Sequence, residues 1–203
     1  ILERYGMTET LINVSNPIGL EKIGSCGKPL PGVELRITDD KGKSLETDKV
    51  GNIEVRGPNV FKGYWKDEQK SKESFRTDHF FITGDLGKID KDGYLTIIGR
   101  VKDLIIVGGS NIYPKEVENY IDGIEGIHES VVFGVPDSRY GERVVAAVTL
   151  KKGSSLTQHD IVAVLRSTIA SIKVPQQIYF LDQLPRNEMG KVQKNVLRER
   201  YTL

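Results

Sequence analysis

The chain has one cysteine, Cys26, and three scattered histidines, His79, His128 and His159. A single thiol excludes an internal disulfide and suits a reducing compartment. One Cys and three separated His cannot assemble a structural zinc site. Excess charge of one sign is lacking too: Lys+Arg 29 against Asp+Glu 28 leaves a formal net charge of +1. No global field therefore draws the chain to nucleic acid or to a membrane surface, and no basic cluster is interleaved with aromatics. No apolar run approaches the ~20 residues of a membrane-spanning helix. The chain also lacks an initiator methionine, opening at Ile1 inside an already patterned segment, which reads as the beginning of a fragment.

What is present fits a globular protein. The 203 residues, 38% of them hydrophobic, are enough for one good core or two small ones. Residues 1–10 read as the end of a strand entering a polar turn, and residues 13–17 as loop. Val33-Glu-Leu-Arg-Ile37 and Gly51-Asn-Ile-Glu-Val-Arg56 alternate at period two around a turn at Asp39-Asp-Lys-Gly42. That pattern predicts a hairpin with one buried face. Residues 64–75 are partly helical, Phe80-Phe-Ile-Thr83 is a strand ending in Gly84-Asp85, and residues 86–98 form a second hairpin.

After Gly99 the texture changes to alternating strands and helices. Residues 104–107 read as a buried strand that Gly108-Gly109 break. Pro114 then opens a helix at the position where its missing N–H costs nothing, with Val117, Tyr120, Ile121 and Ile124 as its apolar face. Residues 130–135 and 144–150 are Val-rich strands, and residues 177–181 a third. Thr157 with Asp160 resembles a capping box, opening a helix with Ile161, Leu165, Thr168 and Ile172 inward. Residues 191–201 form a closing helix, apolar at Val192, Val196 and Leu197. The expectation is an α+β chain, β-rich over residues 1–101. Residues 102–203 then form a small α+β domain with a three-stranded sheet.

Four polar motifs stand out. Tyr5-Gly-Met-Thr-Glu-Thr10 gathers a ring, a glycine, hydroxyls and a carboxylate, the groups that stack on a base, meet phosphate and hold Mg²⁺. Thr83-Gly-Asp85 offers a carboxylate at a strand end, where two ribose hydroxyls can be held. Gly99-Arg-Val-Lys-Asp103 is a charged turn at the texture change. Pro185-Arg-Asn-Glu-Met-Gly-Lys-Val-Gln-Lys194 places Lys191 after a glycine on a mobile loop, as a compact charge for a phosphate or carboxylate. Taken singly, each is commoner as an ordinary turn, cap or solvated surface charge.

In their order and spacing these motifs closely resemble the AMP-forming adenylating enzymes: acyl-CoA synthetases, firefly luciferase and the adenylation domains of peptide synthetases. Arg4 to Thr10, Gly57-Pro-Asn-Val-Phe-Lys-Gly-Tyr-Trp65, Asn111-Ile-Tyr-Pro-Lys-Glu-Val-Glu118 and Pro185 to Asn195 look most like the malonyl-CoA synthetase branch. The resemblance implies ATP/AMP, Mg²⁺ and coenzyme A as cofactors. It implies that Tyr5 stacks on adenine within a nucleotide-binding Gly6-Met7 segment, Thr8 meets the α-phosphate and Glu9 serves Mg²⁺. Asp85 would hold the ribose, supported by Arg100. Lys102 would be the pivot of the small domain, Lys191 the adenylation lysine, and Gly108 and Gly109 the lining of the pantetheine tunnel.

The implied activity is activation of a carboxylate, malonate or methylmalonate, as acyl-adenylate, and its transfer to coenzyme A. The alternatives are the same fold acting on a fatty, aryl or amino acid, and a non-catalytic adenylate-binding or interaction module. Lys22 is a weak candidate for facing a second substrate carboxylate. The family's Ser/Thr/Gly-rich phosphate loop is absent, so the chain is expected to be a C-terminal portion, inactive alone and partnered by the rest of the large N-terminal domain. Lys191 is also a candidate target of a protein acetyltransferase, since acetylation removes its charge. The expected localisation is cytoplasmic, or the mitochondrial matrix in a eukaryote.

Overall fold

Strands need an inward face, and alternating apolar residues supply one through most of the first half of the chain. A computed structural model describes residues 2–202. It divides into two units, Ile1–Lys102 and Asp103–Leu203.

In the first unit β1 (Arg4–Met7), β2 (Leu11–Ser15) and β3 (Lys28–Pro29) form one antiparallel sheet. Residues 13–15 are therefore strand, not the expected loop. The strand was hidden by a polar residue on its inner side: Asn13 is fully buried, and hydrogen bonds to Thr10 and Asn59 satisfy it. A second antiparallel sheet holds β4 (Glu34–Thr38), β5 (Gly51–Arg56), β6 (Phe81–Ile89) and β7 (Leu95–Arg100) in that order, with helix α1 (Glu68–Glu73) between β5 and β6. Tyr5 and Val14 of the first sheet share one core with Ile37, Ile53, Val55 and Leu95 of the second.

The central strand β5 is buried on both faces, against the expectation of one. Its Glu54 has no exposed surface. Its charge is offset by Arg36 at 2.8 Å, Arg76 at 2.7 Å and the Thr38 hydroxyl at 3.0 Å. The strand β6 does not end at Gly84. Asn52 pairs with Leu86 and Glu54 with Ile82, so four steps along β6 oppose two along β5. The extra residues, with Gly84 at φ +76°, make a bulge.

The second unit is built on a five-stranded sheet where three strands were expected. The strand expected at residues 104–107 is β8 (Ile105–Val107), which joins this sheet, and the strand not expected is its partner β9 (Ser110–Ile112). Gly108 and Gly109 are the two-residue turn joining them, at φ +54° and +82°; two successive positive φ angles suit the twist of a tight hairpin. Helix α2 (Pro114–Asp122) follows, then β10 (Ile127–Asp137), β11 (Gly141–Leu150), helix α3 (Gln158–Thr168), β12 (Gln177–Phe180) and helix α4 (Lys194–Tyr201). β11 pairs antiparallel with β10 along its length, antiparallel with β8 at Gly141, and parallel with β12.

Both faces of this sheet are covered, which accounts for its near-continuous apolar strands. Val132, Val144 and Ala146 pack with Val117 and Ile121 of α2 and Ile161 and Leu165 of α3. Val131, Phe133 and Val145 pack with Leu197 of α4. The capping box is present: Thr157 and Asp160 bond each other's backbone N–H. Tyr120 is 44% exposed, so the face of α2 is narrower than its spacing suggested, and the buried position beside Val117 goes to Glu118. Thr168 and Ile172 are not inward. The chain turns extended at Ile169 and leaves Ile172 outside the helix. α4 starts three residues later than expected, and Val196 faces solvent.

Because its apolar faces are matched within the unit, Asp103–Leu203 expressed alone should melt in one cooperative transition and show dispersed amide resonances. An expanded product that binds a hydrophobic dye would contradict this.

Candidate active site

The β6 bulge carries Asp85, which pairs in register with Arg100 of β7. Asp85 is only 6% exposed, so its charge requires partners. The Tyr5 hydroxyl donates to Oδ2 at 2.8 Å, and Arg100 Nε lies 3.1 Å from Oδ1. Thr83 shapes the bulge by donating to the Ile53 carbonyl at 2.8 Å and accepting the Asp85 N–H at 3.1 Å. Burial, and then the Asp85 charge, push the Tyr5 hydroxyl pKa well above the ordinary tyrosine value. Tyr5 therefore stays protonated and remains a donor. The arrangement can accept hydrogen bonds from a pair of hydroxyls, because each Asp85 oxygen has one fixed donor and lone-pair capacity left.

Tyr5 is 8% exposed, so little of the ring is open to stack on a base. Gly6 has a steric reason of its own: a Cβ there would sit 1.8 Å from the Leu11 carbonyl oxygen. Met7 packs partly buried against the same core as Tyr5. The turn between β1 and β2 presents Thr8, which is exposed, and Glu9, which is half-buried. Leu11 closes that turn at φ +52°, a region leucine rarely adopts.

Two residues holding this turn were not singled out from the sequence, although both lie in the Gly57 to Trp65 motif. The Tyr64 hydroxyl donates to Glu9 Oε1 at 3.2 Å, and its pKa is raised by burial first and the Glu9 charge second. Asn59 donates to the Thr10 carbonyl at 2.6 Å and to Asn13 at 2.9 Å. The Phe61 N–H adds a 2.8 Å bond to the Glu9 carbonyl. Lys22 is committed elsewhere, 2.5 Å from Asp90 and 3.7 Å from Asp92, which removes it as a free cation for substrate. Lys102 is exposed in a single 3₁₀ turn, Val101–Asp103.

In the second unit Gly108 and Gly109 are exposed at the tip of the β8–β9 hairpin, and the Gly108 N–H donates to the Tyr140 carbonyl at 2.9 Å. Lys191 is exposed on a loop that is more ordered than the sequence suggested. Asn187 N–H donates to the Lys191 carbonyl and Gly190 N–H to the Asn187 carbonyl, at 2.9 and 2.8 Å. No cluster of three or more Cys, His, Asp or Glu that could hold a metal occurs among the described residues.

Residues 1–65 match the AMP-binding enzyme family, and residues 116–191 match the AMP-binding enzyme C-terminal domain. The chain belongs to the AMP-binding enzyme family. Over 99% of its length it is 40% identical to an oxalate–CoA ligase of Saccharomyces cerevisiae, and over 98% it is 39% identical to a feruloyl-CoA synthase of Amycolatopsis sp. ATP-bound MatB from Rhodopseudomonas palustris matches all of the chain with a TM-score of 0.96 at 53% identity. The chain spans 38%, 41% and 41% of these three proteins. The oxalate and feruloyl relatives thus differ in the acid that their names join to coenzyme A.

The raised Tyr5 pKa has a definite sign in stability. Above pH 10.0, the ordinary tyrosine value, the unfolded chain loses this proton and the folded chain keeps it. The stabilisation is full below that pH and is lost as pH rises through it, by about 1.4 kcal/mol per pH unit. Tyr5→Phe should be less stable than wild type at neutral pH but should lack this alkaline slope. Urea melts on either side of that pH check it, and equal slopes for both proteins would contradict the assignment.

Proposed function

We propose that the chain is the C-terminal part of an ATP-dependent acid–thiol ligase, with malonate or methylmalonate as the acid. The observation that carries the reading is the buried Asp85 carboxylate, gripped by Tyr5 and Arg100. It stands in a chain that also matches the family's C-terminal domain up to Lys191. The choice of malonate is supported by the motif resemblance to malonyl-CoA synthetases and by the 53% identity to MatB, against 39–40% to the oxalate and feruloyl ligases. An aryl acid is the second reading, favoured by the feruloyl and indoleacetate relatives.

In the first half-reaction a substrate carboxylate oxygen attacks the α-phosphorus of ATP, and pyrophosphate leaves. Asp85 accepts hydrogen bonds from the ribose hydroxyls, and its ion pair with Arg100 orients it. Thr8 faces the α-phosphate. Glu9 fits a role toward Mg²⁺: it is a hard oxygen donor, fixed by Tyr64 through one oxygen with the other open, and this ion typically takes one or two carboxylates plus substrate phosphates. When bound, Mg²⁺ would supply charge neutralisation on the phosphates. The Lys191 ammonium stabilises negative charge building between carboxylate and phosphate. In the second half-reaction the thiol of coenzyme A attacks the acyl carbon and AMP leaves. The Gly108-Gly109 turn, without side chains, lets the pantetheine arm pass close to the backbone, and Lys102 is the pivot that exchanges the two half-reactions. Acetylation of Lys191 by a protein acetyltransferase would switch the first step off. The chain alone, without an upstream phosphate loop, does not complete the cycle.

In the complete ligase, Lys191→Ala should slow pyrophosphate release about 10²–10³-fold. Melting should move little, since the residue is exposed. Thioester formation from pre-made acyl-adenylate should survive. Wild-type pyrophosphate release by the variant would overturn the assignment.

A further inference from the structure

An adenylation lysine on a loose loop would spend its time away from the reacting atoms. Geometry set by neighbouring groups is therefore part of its effect. Around Lys191 the loop is closed by an antiparallel bridge between Arg186 and Val192 and by the Asn187 side chain, whose Oδ1 accepts the N–H groups of Met189 at 3.1 Å and Lys191 at 2.9 Å. Gly190 takes φ +77°, which turns the chain into Lys191. Beyond the loop, Lys194 Nζ bonds the buried Glu118 carboxylate at 2.8 Å and the Val132 carbonyl at 2.9 Å, which anchors the start of α4 to the sheet.

These bonds shape the loop locally or fix its far end. One side chain does both at its centre. Arg186 Nη1 donates to the Gly190 carbonyl, in the peptide bond leading into Lys191, at 2.7 Å. Its Nη2 pairs with the carboxylate of Glu129 on β10. The guanidinium thus ties the peptide that aims Lys191 to the rigid sheet, through two donors of one planar fork. As a structural contact this pair is worth little, because both side chains are partly exposed (43% and 29%). Its position beside Lys191 gives it another use.

We propose that Arg186 is a positioning residue for Lys191, held in place by Glu129, and that the pair sets the aim of the ammonium during adenylation. This rests on the reading of Lys191 as the adenylation lysine. Arg186 itself touches no reacting atom, so its effect must pass through Lys191.

The test compares wild type, Lys191→Ala, Arg186→Ala, Glu129→Gln, Arg186→Lys and the Lys191→Ala/Arg186→Ala double variant in the complete ligase. Three quantities are read: ATP–pyrophosphate exchange, thioester formation from pre-made acyl-adenylate, and melting temperature. Arg186→Ala should lower exchange about 10–100-fold, on the order of what a 1 Å misplacement costs. Glu129→Gln should fall in the same direction by less. Arg186→Lys should recover part of the loss, because an ammonium can make one of the two contacts. Thioester formation and melting should stay near wild type. The double variant should be no slower than Lys191→Ala, since positioning has no object once the ammonium is gone. Wild-type exchange by Arg186→Ala, equal loss in both half-reactions, or additive losses in the double variant would each overturn the proposal. Wild-type exchange by Lys191→Ala would overturn the underlying reading as well.

Discussion

A carboxylate at 6% exposure cannot stay charged without compensation, and the first unit is arranged around supplying it to Asp85. Tyr5 arrives from the β1–β2–β3 sheet and Arg100 from the end of β7, in the other sheet. The Tyr5–Asp85 bond joins residues eighty positions apart in sequence, so it forms only when both sheets have folded onto their shared core. The bulge at Thr83-Gly84 re-aims Asp85 at no cost in core packing, because the side chains on either side, Phe81 and Leu86, remain buried. Close approach at Gly6 then lets β1 run near enough to β2 for Tyr5 to point inward. Folding stability and site geometry in this unit are one arrangement.

The second unit solves a different problem. Its sheet is covered on both faces, so its functional candidates are placed on turns at the sheet's margin. Gly108 and Gly109 sit where only positive φ closes the β8–β9 hairpin, and Gly190 turns the chain just before Lys191. Each of these turns is held by hydrogen bonds to a strand or to a neighbouring turn. Exposed residues at rigid positions can meet a substrate without first paying the entropy of ordering a loop.

Much of this was legible in the residues. The α+β class, the hairpin alternation of β4 through β7, the Pro114 helix start and the Thr157–Asp160 capping box all follow from local rules, and the structure contains them. The misses have physical causes. Strand β2 was hidden because Asn13 is buried and satisfied by distant Asn59, which no local pattern signals. The diglycine was read as a strand breaker because the short apolar run before it left no room to see a three-residue partner strand after it. Tyr120 and Ile172 have the right spacing but lie beyond what α2 and α3 can cover. Among candidate site residues, the motifs pointed to Tyr5, Asp85 and Arg100, which the structure brings into contact. Tyr64 on Glu9 and Arg186 on Gly190 are tertiary contacts that spacing alone does not reveal.

On the function proposed above, Asp85, held by Tyr5 and Arg100, is the acceptor for the ribose hydroxyls of the nucleotide. Binding of AMP and of 2′,3′-dideoxy-AMP to the complete enzyme, by wild type and by Asp85→Asn, tests it most directly. Hydrogen bonds to a charged group are worth about 1.5–3 kcal/mol, so wild type should prefer AMP by about 10–100-fold. Asp85→Asn should lose most of that preference while binding the dideoxy analogue nearly as wild type does. A wild type indifferent to the missing hydroxyls, or an Asp85→Asn variant that keeps the full preference, would contradict the account.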